Sequence, residues 1–180
     1  MAKKRAFEIA FVGLKLGVHE FEYDLDEQFF VEKGAEDFAN PKAQVKLSLE
    51  KNTGFMLLKF EIGGQADVSC DRCGNSITLA LWDEFKILVK QVDNPDEMND
   101  QEEDPDIFYI SRNESHLSVE NWIYEFVLLS LPMQKMCANE EIGGPKCNKE
   151  VLEKLREMED NFARQNANNL WKGLDKFKNN

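Results

Sequence analysis

AQVKLSLEKNTGFMLLKFEI, residues 43–62, alternates apolar and polar side chains on either side of a turn signal. Val45, Leu47 and Leu49 recur with period two, KNTG at 51–54 carries turn chemistry, and an apolar run resumes at Phe55. Period two places alternate side chains on opposite faces of a strand, so the stretch predicts a hairpin with one face turned to a core. The same grammar extends outward. ADVSC (66–70) and ITLALWDEFKILVK (77–90) flank the turn segment CDRCGN, and DIFYIS (106–111) adds a strand. Upstream, Ala6 to Phe11 and Phe21 to Leu25 read as strands, and the glycine pairs at 63–64 and 143–144 read as turns.

The period changes after Ser118. In SVENWIYEFVLLSLP, Val119, Trp122, Ile123, Phe126 and Val127 fall on one helical face, with Ser118 as the expected N-cap and Pro132 ending the helix near Ser130. A second helix is expected from about Asn148, where Val151, Leu155, Met158 and Phe162 recur at helical spacing. The fold class read from this order is α+β: an antiparallel β-sheet or partly open barrel in the N-terminal two-thirds, packed by two C-terminal helices. The expected organisation is a single domain over 1–180, with a β-rich part at 1–112 and a helical part at 113–180.

Charge narrows the function. Thirty-four acids against 22 bases leave a net −12, and it is unevenly spread. Residues 1–18 set Lys3, Lys4, Arg5 and Lys15 against Glu8, and residues 149–180 hold seven bases and six acids, so the excess acid lies between them. Its densest part, DNPDEMNDQEEDPD at 93–106, has eight acids and no base, a composition that predicts a mobile acidic loop. Such a surface disfavours a broad electrostatic grip on nucleic acid phosphate. No window has the length of apolar residues that a membrane span needs, and no leader pattern opens the chain, so a cytoplasmic protein is expected.

Chemistry concentrates in the cysteines. In a reducing compartment the four of them are expected as thiols or metal ligands. Cys70 and Cys73 have the CxxC spacing that lets two thiolates reach one ion from a tight turn, with Gly74 to relieve the backbone. Cys137 and Cys147 complete a four-thiolate set by count, in a segment bent by Gly143, Gly144 and Pro145. One reading is a structural zinc site of Cys70, Cys73, Cys137 and Cys147; another is four unligated thiols filling space. Dithiol redox chemistry is disfavoured, because a redox CxxC opens a helix and this one joins strands. His19 and His116 stand in no catalytic frame. Arg72, between the first two cysteines, is a binding candidate for phosphate or carboxylate, or else a solvated turn residue.

SCDRC at a strand end, the acidic stretch, a short strand, LSVENWIYEFVLLSLPMQKMC and a cysteine-bearing loop before a final helix together resemble the YceD-like family of large ribosomal RNA subunit accumulation proteins. The resemblance is best over 66–175. It implies a bacterial, non-enzymatic ribosome-biogenesis factor supporting accumulation, processing or stability of large-subunit ribosomal RNA. The family's cysteine pairs fall on Cys70 and Cys73 and on the loop holding Cys137 and Cys147. The implied partner is a large-subunit precursor, met through a basic ribosomal protein or locally through RNA, with no membrane and no small-molecule substrate. The alternative function is a zinc-stabilised interaction adaptor unrelated to ribosomes.

Overall fold

The computed structural model describes residues 4–35, 38–137 and 147–174, with side chains from Ala6 through Arg164. The chain falls into two compact units, 1–68 with 78–133 and 69–77 with 134–180.

The first unit is built on a five-stranded open sheet in the order β2-β3-β4-β5-β6. Its strands are β2 (Gly17–Leu25), β3 (Ala39–Lys51), β4 (Phe55–Ser69), β5 (Ser76–Val92) and β6 (Ile107–Ser111). The expected hairpin is there, β3 running antiparallel to β4 with Leu47 opposite Phe60 and Leu49 opposite Leu58. Period two does what it predicts: Ala43, Val45, Leu47, Leu49, Met56, Leu58, Phe60 and Ile62 are buried, while Lys46, Lys59 and Glu61 face outward. The sheet is α+β in class and mostly antiparallel, but β5 and β6 are parallel, with Leu88 opposite Ile107.

Helix α3 (Glu120–Leu129) covers the inner face. Ile123, Phe126 and Val127 are buried there with Val119, and Phe126 stacks on Phe85 with centroids 4.3 Å apart while meeting Phe60 edge-on at 5.0 Å. Each such side chain contributes about 1.5–3 kcal/mol through burial. The helix ends at Ser130, two residues before Pro132, as expected. Its start differs: Val119 is the N-cap, because Ser118 is spent in the two-residue strand β7 (Leu117–Ser118), which pairs with β1 (Glu8–Ile9).

Three further expectations are corrected. Ala6 to Phe11 is not one strand but β1 between two 3-10 turns, Lys4–Phe7 and Phe11–Gly13, because Lys51 Nζ donates to the carbonyls of Phe11 and Leu14 at 2.8 and 2.9 Å and bends the chain there. Gly63 and Gly64 are no turn; β4 runs straight through them. Gly64 sits at φ +140°, where a Cβ would strike the backbone of Lys42 and Ala43, so glycine here permits close strand approach. The acidic stretch holds a short helix, α2 (Pro95–Gln101), where a mobile loop was expected. Asn99 explains it, exchanging hydrogen bonds with both the N–H and the carbonyl of Tyr109 at 2.8 and 2.9 Å. Helix α1 (Glu27–Val31) is N-capped by Asp26.

The second unit comprises the 69–77 turn, the described part of 134–147 and α4 (Lys149–Leu174). Asn148 caps α4, its Oδ1 3.4 Å from the Val151 N–H. No helix among the described residues is long and apolar enough to cross a membrane.

Candidate metal centre

Both sequence-predicted cysteine pairs lie in the second unit, and all four thiols are buried in one cluster with Leu152, shielded by Ile77 and Met136. The first pair is placed by a tight turn. The Gly74 N–H donates to the Cys70 carbonyl at 2.8 Å, and the Cys70 N–H donates to the Asn75 carbonyl at 2.8 Å. Gly74 closes that turn at φ +74°, a conformation costly for any residue with a Cβ. Cys70 and Cys73 therefore present both sulfurs to one side of the turn.

Cys137 is brought to them by a staple that has no sequence signature. The Asp71 N–H donates to the Lys135 carbonyl at 2.6 Å, and the Lys135 N–H donates to Asp71 Oδ2 at 2.7 Å. Two residues further on, the Cys137 N–H points at Cys70 Sγ, 3.3 Å away. The sulfurs of Cys70, Cys73 and Cys137 then lie within 4.8 Å of one another. Cys137 Sγ is 3.5 Å from Cys70 Sγ and 3.8 Å from Cys73 Sγ. These separations are far beyond a disulfide bond of about 2.05 Å. They match the edge of a tetrahedron with metal–sulfur bonds of about 2.3 Å, which is about 3.8 Å.

The protonation chemistry of the cluster is asymmetric. Burial is the largest influence on Cys70 and pushes its thiol up, but N–H groups of Cys137, Cys73 and Arg72 and the Cys137 thiol together outweigh it and bring it down to about 7. Cys137, whose thiol donates to Cys70, is pushed up to about 12 by that bond first and by burial second, with Cys73 and Cys147 adding to it. A thiol that ionises readily, held by N–H donors with further thiols around it, is a set that a cation of the zinc type would bind with release of the remaining protons.

The donor set fits zinc: soft sulfur ligands, backbone N–H support for the sulfur, and a dry apolar shell. Cys147, two residues before α4, is buried in the same cluster, while the sulfurs that lie within 4.8 Å of one another are those of Cys70, Cys73 and Cys137. Four thiolates would leave no open position for water, so the chemistry supplied is cross-linking of chain segments. Gly143, Gly144 and Pro145 lie outside the described residues.

Arg72 sits otherwise than its turn position suggests. It is half-buried, and its Nη2 lies 3.5 Å from Met136 Sδ. His19 and His116 are kept on local partners, His19 Nε2 at 2.9 Å from the Lys15 carbonyl and His116 Nδ1 at 2.8 Å from Ser115 Oγ, outside the thiol cluster. The residues missed by sequence reasoning are Asp71 and Lys135, since a turn aspartate and a loop lysine carry no mark of being partners.

A family model described as Large ribosomal RNA subunit accumulation protein YceD matches residues 58–178. No curated protein and no solved structure matches the chain.

Proposed function

The chain belongs to the family of large ribosomal RNA subunit accumulation proteins, and from that membership we propose that it is a non-enzymatic ribosome-biogenesis factor supporting the accumulation, processing or stability of large-subunit ribosomal RNA. The family match carries this reading, because it spans the turn, α3 and the segments that hold all four cysteines. Zinc bound by Cys70, Cys73, Cys137 and Cys147 is structural in this account and ties the 69–77 turn to the start of α4. The closed thiol set supports a scaffold role over a catalytic one, since a catalytic zinc keeps a position open for water or substrate.

The partner is a large-subunit precursor in the cytoplasm. A net charge of −12 favours contact through a basic ribosomal protein over a broad grip on RNA. Arg72 is the local exception, a guanidinium suited to one phosphate or carboxylate beside the thiol cluster.

Deleting the gene tests the reading. Mature large-subunit RNA is expected to fall relative to small-subunit RNA, or its precursor to accumulate. An unchanged RNA and subunit profile would overturn the proposal.

A further inference from the structure

Strand β2 is the edge of the five-stranded sheet. It pairs with β3 along its whole length, from Gly17 opposite Lys51 to Leu25 opposite Ala43, and among the described residues no strand pairs with its other side. An open nine-residue edge is a row of backbone donors and acceptors that invites an added strand unless charge or cover deters it. Here the deterrent has one sign. The outward-facing residues of β2 include Glu20, Glu22 and Asp24, all exposed, with no base among them.

The space beside that edge is hollow. A cleft of about 370 Å³ separates Ala6–Ile9 from Phe21–Asp24. It is continued by a second of about 550 Å³, floored by Phe7 and Phe29 and bordered by Asp24, Asp26, Glu32 and Glu120. Ala6, Phe7 and Asp24 line both, so the two form one groove. Its apolar wall is preformed: Phe7 stacks on Tyr23 at 5.3 Å and meets Phe29 at 5.2 Å. Its charge is acid. Lys33, at one end, is already engaged by Glu120 at 3.3 Å and by Asn121 Oδ1 at 3.2 Å, and Asp24 keeps a partner in the Gln44 amide at 3.2 Å.

From these features we infer that the β2 groove takes an extended lysine- or arginine-rich segment of a protein partner, paired to the open edge of β2. Backbone hydrogen bonds to the edge supply affinity, and alternate side chains supply selectivity. Basic heads meet Glu22, Asp24 and Asp26, while their aliphatic stems lie on Phe7 and Tyr23. An RNA strand is the poorer occupant, because the same carboxylates repel its phosphates. The inference deepens the reading above and rests on it only for identifying the segment as part of a basic ribosomal protein.

The test uses the full chain and a fluorescein-labelled peptide of about ten residues alternating lysine and valine, enough to pair along a strand of this length. Three comparisons decide it: the Glu22→Lys, Asp24→Lys double variant; the same peptide N-methylated at alternate amides; and an oligouridylate of equal length. Both substituted residues are exposed, so the urea midpoint of the double variant should fall only slightly, through the lost Asp24–Gln44 bond and the lysine set opposite Lys46. The peptide is expected to bind the parent at least about tenfold more tightly than the double variant, by loss of paired charge. N-methylation should weaken it comparably, and that arm needs no variant to fold. Equal binding in either comparison, or binding of oligouridylate in place of the peptide, would overturn the inference. Failure here with a disturbed ribosomal RNA profile in the deletion strain would remove the groove and leave the biogenesis reading standing. Peptide binding with an undisturbed profile would do the reverse.

Discussion

Asp71 and Lys135, 64 residues apart, hold each other by two hydrogen bonds: the Lys135 N–H donates to Asp71 Oδ2 at 2.7 Å, and the Asp71 N–H donates to the Lys135 carbonyl at 2.6 Å. The pairing fixes the register in which 134–137 runs past the CxxC turn, and that register puts the Cys137 N–H on Cys70 Sγ.

Asp71→Ala should therefore cost about 1–2 kcal/mol, the worth of a hydrogen bond to a charged group whose donor is left without its partner. Asp71→Asn, which keeps a side-chain oxygen, should recover most of the loss. Urea unfolding of the second unit's signal checks both. Equal stability of parent and alanine variant would show that the staple does not hold the turn.

At Gly64 the requirement is steric and conformational together. Gly64→Ala should destabilise by about 2–4 kcal/mol, from a left-handed φ with a Cβ and from the close approach of the Lys42–Ala43 backbone. A Gly63→Ala control, where a Cβ meets nothing within 4 Å, should be much milder. Similar midpoints for the two variants would contradict this.

Phe126 links α3 to the sheet through Phe85 and Phe60. Phe126→Ala should cost about 3–5 kcal/mol by leaving a cavity between them. Phe126→Leu should cost less, and the difference read in thermal melts measures how much of the packing is aromatic.

Ionisation of the tyrosines gives a pH signature. The Tyr109 hydroxyl donates to Glu102 Oε2 at 2.7 Å, which holds the Glu102 carboxyl below its usual 4.5 and the Tyr109 phenol above its usual 10.0. The depressed Glu102 stabilises the fold above its unfolded value, and this is lost as pH falls through the depressed one. The raised Tyr109 stabilises it below pH 10, and this is lost as pH rises through the raised value. The pair thus contributes steadily across neutral pH and fails at both ends. Burial pushes Tyr23 up to about 12, so a spectrophotometric titration should show Tyr23 and Tyr109 ionising above the usual 10.0. Ionisation of Tyr23 and Tyr109 at the usual value would contradict the contacts described.

Much of the fold was legible where local and global signals agree. The 43–62 hairpin combines strict alternation with a strong turn, and α3 combines a clear apolar face with a proline stop. Reading failed where a distant contact decides the local conformation. Lys51 bends the N-terminal segment away from strand, the Lys42–Ala43 backbone keeps Gly64 inside one, and Tyr109 anchors an acidic helix that composition alone would leave unstructured. The thiol cluster divides the same way. Cys70 and Cys73 are a local spacing and could be read, whereas the arrival of Cys137 depends on Asp71 and Lys135.

The structural account turns on that cluster being a closed zinc centre. Elemental analysis of full-length protein purified without chelator tests it most directly. The predicted result is about one zinc per chain, lost together with stability in Cys70→Ser. Protein that carries no metal, and whose stability neither chelator nor Cys70→Ser lowers, would contradict it.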